Sequence, residues 1–113
     1  MARSFGEMVK KKRREAGFSQ RELAERAGLD FSYISKIENG RLPPPAADTV
    51  VHLCRIMKTP AEELLALTKK LPSEVQQTIS SSVAAQDFLR AVQTMKLTDT
   101  EWKQLTGALR SLR

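Results

Sequence analysis

Phe18-Ser19-Gln20-Arg21-Glu22-Leu23-Ala24-Glu25-Arg26-Ala27-Gly28-Leu29-Asp30-Phe31-Ser32-Tyr33-Ile34-Ser35-Lys36-Ile37-Glu38-Asn39-Gly40 decides the fold. Ser19 stands as an N-cap with Glu22 three residues on, the spacing of a capping box. Leu23, Ala24 and Ala27 give the helix that follows a buried stripe, and Gly28 stops it. Leu29 and Asp30 make a tight turn, Asp30 suits the next N-cap, and a third helix is expected over 31–38 before Asn39-Gly40 closes it. At 100° per residue, Ile34 and Ile37 fall on one side of that helix and Ser32, Ser35 and Lys36 on the other.

Working outward, Phe5, Met8, Val9 and Ala16 stripe a first helix that ends at Gly17, and its other faces carry the basic run Lys10 to Arg14. Downstream, Pro43-Pro44-Pro45 cannot continue a helix. A fourth helix over about 46–57 follows, with Val50, Leu53, Cys54 and Met57 at i, i+3, i+4 and i+7. Thr59-Pro60-Ala61-Glu62 combines an N-cap, a first-turn proline and a capping glutamate, and so opens a fifth helix with Leu64, Leu65 and Leu67. Lys69-Lys70-Leu71-Pro72 interrupts the pattern and divides the chain into residues 1–70 and 71–113. Three more helices are expected, over about 73–80, 83–96 and 98–112, the last opened by a Thr98-x-x-Glu101 capping box. No strand pattern competes, so the fold class is all-α: five helices, then a shorter unit of about three.

Two short helices joined by a tight turn, behind a basic helix, let one helix enter the major groove while its partner braces on the backbone. Helix 31–38 is the reader in this scheme. Ser32 and Ser35 offer hydroxyls to base edges, Lys36 reaches guanine O6 or N7, Phe31 meets a thymine methyl, and Tyr33 donates to a phosphate. Charge points the same way. The 19 Lys and Arg exceed the 13 Asp and Glu by a net +6, and 14 of the basic residues stand against 9 acidic ones in residues 1–70, an excess suited to a polyanion.

From Phe18 to Leu29, and again from Tyr33 to Gly40, the sequence resembles the Xre/Cro/lambda-repressor family, a similarity that covers about residues 5–68. The resemblance implies a five-helix DNA-binding domain in which Gln20 contacts phosphate and helps orient the base-reading residues. With it, Arg21 is placed among the phosphate contacts, and Asn39, Gly40 and Arg41 are implied to grip the backbone just after the third helix. It also implies that Arg13 pairs with Glu38, which would fix helix placement more than add stability. Phe31, Ser32 and Lys36 stand where glutamines often stand in that family, so the operator sequence does not carry over.

The other readings are mostly exclusions. His52 and Cys54, two residues apart on a helix, point about 200° apart and cannot chelate one metal; one cysteine allows no internal disulfide. No catalytic set is legible, so no enzyme, cofactor or metal site is expected. No stretch of 18 apolar residues and no leader is present, which leads to the expectation of a cytoplasmic protein without membrane association. Met95, Trp102, Leu105, Leu109 and Leu112 form an apolar seam, and some forty residues bury little surface alone. Phe88, Leu89, Val92, Trp102, Leu105, Leu109 and Leu112 are therefore the expected dimerisation residues of a homodimeric repressor on a pseudo-palindromic operator, often its own. Packing back onto the first domain is the alternative for that seam. The rival functions are an antitoxin-like or adaptor protein whose C-terminal helices bind a partner such as a toxin or metallopeptidase, and a nonspecific nucleic-acid binder.

Overall fold

A computed structural model describes residues 4–113, and within them the chain is all-helical. Eight helices follow in order: α1 (Phe5–Glu15), α2 (Gln20–Ala27), α3 (Phe31–Glu38), α4 (Ala47–Met57), α5 (Glu62–Thr68), α6 (Ser73–Ser80), α7 (Val83–Met95) and α8 (Asp99–Arg110). They divide into two units, one running through Val75 and one from Gln76.

In the first unit, helix ends are built from the residues that the sequence marks. Ser4 accepts from the Glu7 N–H, and Ser19 and Glu22 complete a reciprocal capping box at 3.0 and 3.1 Å. After α3, Gly40 takes φ +74°, which lets the Arg41 N–H return to the Lys36 carbonyl at 2.8 Å. Asp30 occupies the N-cap position of α3 but makes no side-chain cap.

The opening of α5 departs from expectation, because its first residue is Glu62 and its cap position is Ala61, without a side-chain bond. Thr59 does not serve as the cap. Its N–H closes α4 by donating to the Cys54 carbonyl at 3.0 Å, after Lys58 has turned into the left-handed region at φ 54°. With Thr59 held by one helix, the next starts only after Pro60.

Phe5 and Val9 of α1, Leu23 and Ala24 of α2, Ile34 and Ile37 of α3, Val50, Leu53, Cys54 and Met57 of α4, and Leu64 of α5 form a single buried core. Close helix–helix packing follows the same set: α2 on α3 and α4, α1 on α3 and α5, and α4 on α5. Gly6 is buried where α1 crosses the end of α3, and a Cβ there would collide with the Ile37 carbonyl and sit 2.6 Å from the Glu38 carbonyl oxygen. The absent side chain lets the two backbones approach. Beyond α5, the Lys70 ammonium donates to the Pro44 and Pro45 carbonyls, and Ser73 binds the Asp48 carboxylate through its N–H at 2.9 Å and its hydroxyl at 2.7 Å.

The second unit has the same kind of local order. Ser82 caps α7 and a Thr98/Glu101 box caps α8. None of its residues is buried.

Candidate nucleic-acid interface

α3 is amphipathic, and its packing decides which side faces out. Ile34 and Ile37 are 1% and 2% exposed, so that side is fixed in the core. Phe31, Ser32 and Lys36 are exposed, whereas Ser35 and Tyr33 are partly covered. The Ser35 hydroxyl lies 3.5 Å from the Asn39 side-chain nitrogen, at the limit of a hydrogen bond. One face of α3 thus presents an aromatic ring, the Ser32 hydroxyl and an ammonium to solvent, with the Ser35 hydroxyl half-buried at its edge.

What holds that face in place is centred on Glu38, the last residue of α3. Arg13 Nε donates to Glu38 Oε2 at 2.7 Å and Arg13 Nη2 to Oε1 at 3.0 Å, with both residues buried. The remaining Arg13 nitrogen, Nη1, donates to the Phe18 carbonyl at 2.7 Å, and Gln20 Nε2 donates to Glu38 Oε1 at 3.0 Å. Glu38 therefore ties α3 to α1, to the α1–α2 corner and to the first residue of α2. Bidentate, charge-assisted geometry makes this a directional latch, and desolvation of two charges offsets most of its attraction, so its effect is on placement.

The Gln20 tie and the part played by Gly6 were not legible in the sequence. Gln20 is committed to Glu38 through one amide N–H, which leaves the other for an external acceptor. Gly6 sets the approach of α1 to α3; a glycine inside a helical stripe was the available signal.

The basic run on α1 separates into roles. Arg13 is buried in the latch, Lys12 faces Glu63 at 3.4 Å, and Lys11 and Arg14 are exposed. Asn39, Gly40 and Arg41 are exposed after α3, but their backbone N–H groups donate to Ser35, Ile37 and Lys36 carbonyls. Gly40, without a side chain, has no donor left; it contributes the turn that places Asn39 and Arg41. At the start of α3, the Arg21 guanidinium lies 4.4 Å from the Phe31 ring centre.

Burial, with the Glu62 carboxylate, pushes the Cys54 thiol up, away from the reactive thiolate. His52 Nε2 sits 3.3 Å from the Ala27 carbonyl, a link between α4 and α2. Among the described residues no cluster of His, Cys, Asp and Glu could hold a metal ion, and no helix is long and apolar enough to cross a membrane.

The expected dimerisation residues all lie on α7, α8 or just beyond. Phe88, Trp102, Leu109 and Leu112 are exposed, and Leu89, Val92 and Leu105 are half-buried. Phe88, Trp102, Leu105, Leu109 and Leu112 line one open apolar groove of about 560 Å³.

Comparison with known proteins places this arrangement. The profile of the helix-turn-helix domain family matches residues 6–70. The HTH-type transcriptional repressor RghR of Bacillus subtilis is 36% identical over 62 residues, which are 55% of this chain and 46% of that protein. The chain spans about half the length of the curated relatives it matches. Among solved structures, SinR, the master regulator for biofilm formation, in complex with DNA is similar at TM-score 0.51 and 33% identity, over 54% of this chain and 97% of that one. A SinR/SinI protein complex matches 94% of each chain at TM-score 0.52 and 23% identity, a likeness of fold. Buried latch, glycine-closed third helix and a profile match over more than half the residues agree: the chain belongs to the Xre/Cro/lambda-repressor-like helix-turn-helix family.

Proposed function

We propose that the chain is a cytoplasmic, sequence-specific regulator that binds double-stranded DNA and acts as a dimeric repressor. The observation that carries the reading is the division of α3, with Ile34 and Ile37 anchored in the core and Phe31, Ser32 and Lys36 facing out. In this reading the exposed face enters the major groove, with Ser35 at its border. The side chains of Gln20, Tyr33, Asn39 and Arg41 hold phosphates, and Gly40 sets the turn between the last two. Phosphate contacts fix register while base contacts carry sequence. Two copies would place their α3 helices in successive major grooves of a pseudo-palindrome, half-sites about 34 Å or a multiple apart. Repression follows from occupancy, at the chain's own promoter among others; RghR, a repressor, supports that sign.

Footprinting of the full-length chain on the DNA upstream of its own gene tests this. Protection of two half-sites one helical turn or a small multiple apart is the expected result. Equal affinity for scrambled duplexes would reduce the chain to a nonspecific binder.

A second reading is favoured by the uncovered second unit: an antitoxin-like or adaptor protein whose C-terminal helices hold a partner protein, with DNA binding for autoregulation. SinR's complex with SinI supports partner binding on a similar fold. Oligomeric state separates the two readings. A dimer of the full-length chain, measured by light scattering, supports the first; a monomer that co-purifies with the product of a neighbouring gene supports the second.

A further inference from the structure

Arg21 belongs to the first turn of α2 and Phe31 opens α3, and the two side chains meet with the guanidinium carbon 4.4 Å from the ring centre. Both are exposed, Phe31 by 39%. The ring holds the cation through its charge and takes up no N–H···O hydrogen bond. The guanidinium's five N–H donors stay in its plane, pointing out from the rim. Among the described residues none of those donors is paired with an acceptor.

We propose that Arg21 and Phe31 form one base-reading unit, specific for a guanine with a thymine on the adjacent base pair. This rests on the DNA-binding reading above and changes one expectation within it, since Arg21 then addresses a base edge and not a phosphate. Three physical points support the assignment. An arginine rim matches guanine O6 and N7 as a bidentate pair, and an aromatic side chain suits the thymine methyl. With the guanidinium carbon 4.4 Å from the ring centre, the two groups are separated by little more than one base-pair rise, roughly 3.4 Å, so each can meet one of two consecutive pairs. The stack also holds the long arginine chain in one arrangement before DNA arrives, which reduces the ordering lost on binding.

Arg26 provides a built-in control. Its guanidinium carbon lies over the Phe18 ring, 4.9 Å from the centre, but neither residue belongs to α3.

The test is a binding selection from randomised duplexes with the full-length chain and its Arg21→Ala, Arg21→Lys, Phe31→Ala and Arg26→Ala variants, thermal unfolding confirming that each folds. The wild-type motif should hold adjacent thymine and guanine in each half-site. Arg21→Ala and Arg21→Lys should both lose the guanine preference, by about 10- to 100-fold, while Arg26→Ala keeps the motif. Replacing that thymine with deoxyuridine removes only the methyl; it should weaken wild type several-fold and leave Phe31→Ala unaffected. A motif that survives Arg21→Ala with uniformly weaker binding puts Arg21 on a phosphate and overturns the proposal, as does a motif without the thymine–guanine step. Either result leaves the DNA-binding reading standing. Recovery of no motif at all removes both.

Discussion

α4 and α7 carry the same pattern and meet different fates. Val50, Leu53, Cys54 and Met57 recur at i, i+3, i+4 and i+7, and so do Ala85, Phe88, Leu89 and Val92. All four on α4 are buried; of the four on α7 none is, and Phe88 is 51% exposed. Periodicity states that a face needs cover, and the rest of the chain decides whether cover is present. α4 lies against α2 and α5, whereas within the second unit α7 and α8 do not pack on each other as closely. The first unit is a closed core; the second has the local order of a domain without its interior.

Matched substitutions in the two regions test that contrast. Leu53→Ala should cost about 2–5 kcal/mol of unfolding free energy, because it opens a cavity in a packed core. Phe88→Ala should cost little in dilute solution. If α7 and α8 are covered by a second copy, its cost should grow with protein concentration in chemical denaturation. A large, concentration-independent loss at Phe88 would mean that the second unit is closed already.

Glycine to alanine, made once in each region, should give opposite signs. At Gly6 a methyl meets the backbone of α3, so Gly6→Ala should destabilise by about 1–3 kcal/mol. At Gly107, in the last turn of α8, a methyl meets nothing within 4 Å, and Gly107→Ala should stabilise by up to about 1 kcal/mol through helix propensity. Thermal unfolding of both variants decides it. Loss of dimer in Gly107→Ala would place that face in a tight interface.

The smallest effect concerns pH. The Ser73 hydroxyl and N–H hold the Asp48 carboxyl below the usual carboxylate range. A depressed folded value means the contribution is complete above the ordinary carboxylate titration and is lost as pH falls through the folded value. The difference in Tm between wild type and Ser73→Ala should therefore be present at neutral pH and vanish in acid. A difference that persists in acid would detach the effect from Asp48.

Much of the first unit was legible, for identifiable reasons. Serine and threonine caps followed by glutamate announced α2 and α8, and the stripe on α4 named four of its five buried residues. The two faces of α3 followed from helical pitch alone. Other features left no mark in residue type. Lys58, Lys69 and Lys96 close α4, α5 and α7 at φ 54°, 58° and 51°, where glycine is the usual occupant, so the ends expected near these positions carried no cap signature in residue type. The late start of α5 followed from one of these stops. Long-range polar ties, Gln20 to Glu38 and Ser73 to Asp48, join residues far apart in sequence and become visible only once the helices are placed. The Arg21–Phe31 stack is of the same kind: each residue looked like a separate DNA contact, and their proximity depends on the turn between α2 and α3.

The exposed face of α3 is the centre of the account, and Lys36 is its most direct probe. Affinities of wild type, Lys36→Ala and Arg41→Ala should be measured across every single-base variant of the selected operator at one salt concentration. Lys36→Ala should change which base is preferred at one position of each half-site, and Arg41→Ala should weaken all sequences alike. If Lys36→Ala leaves every preference unchanged, α3 does not read bases through this face.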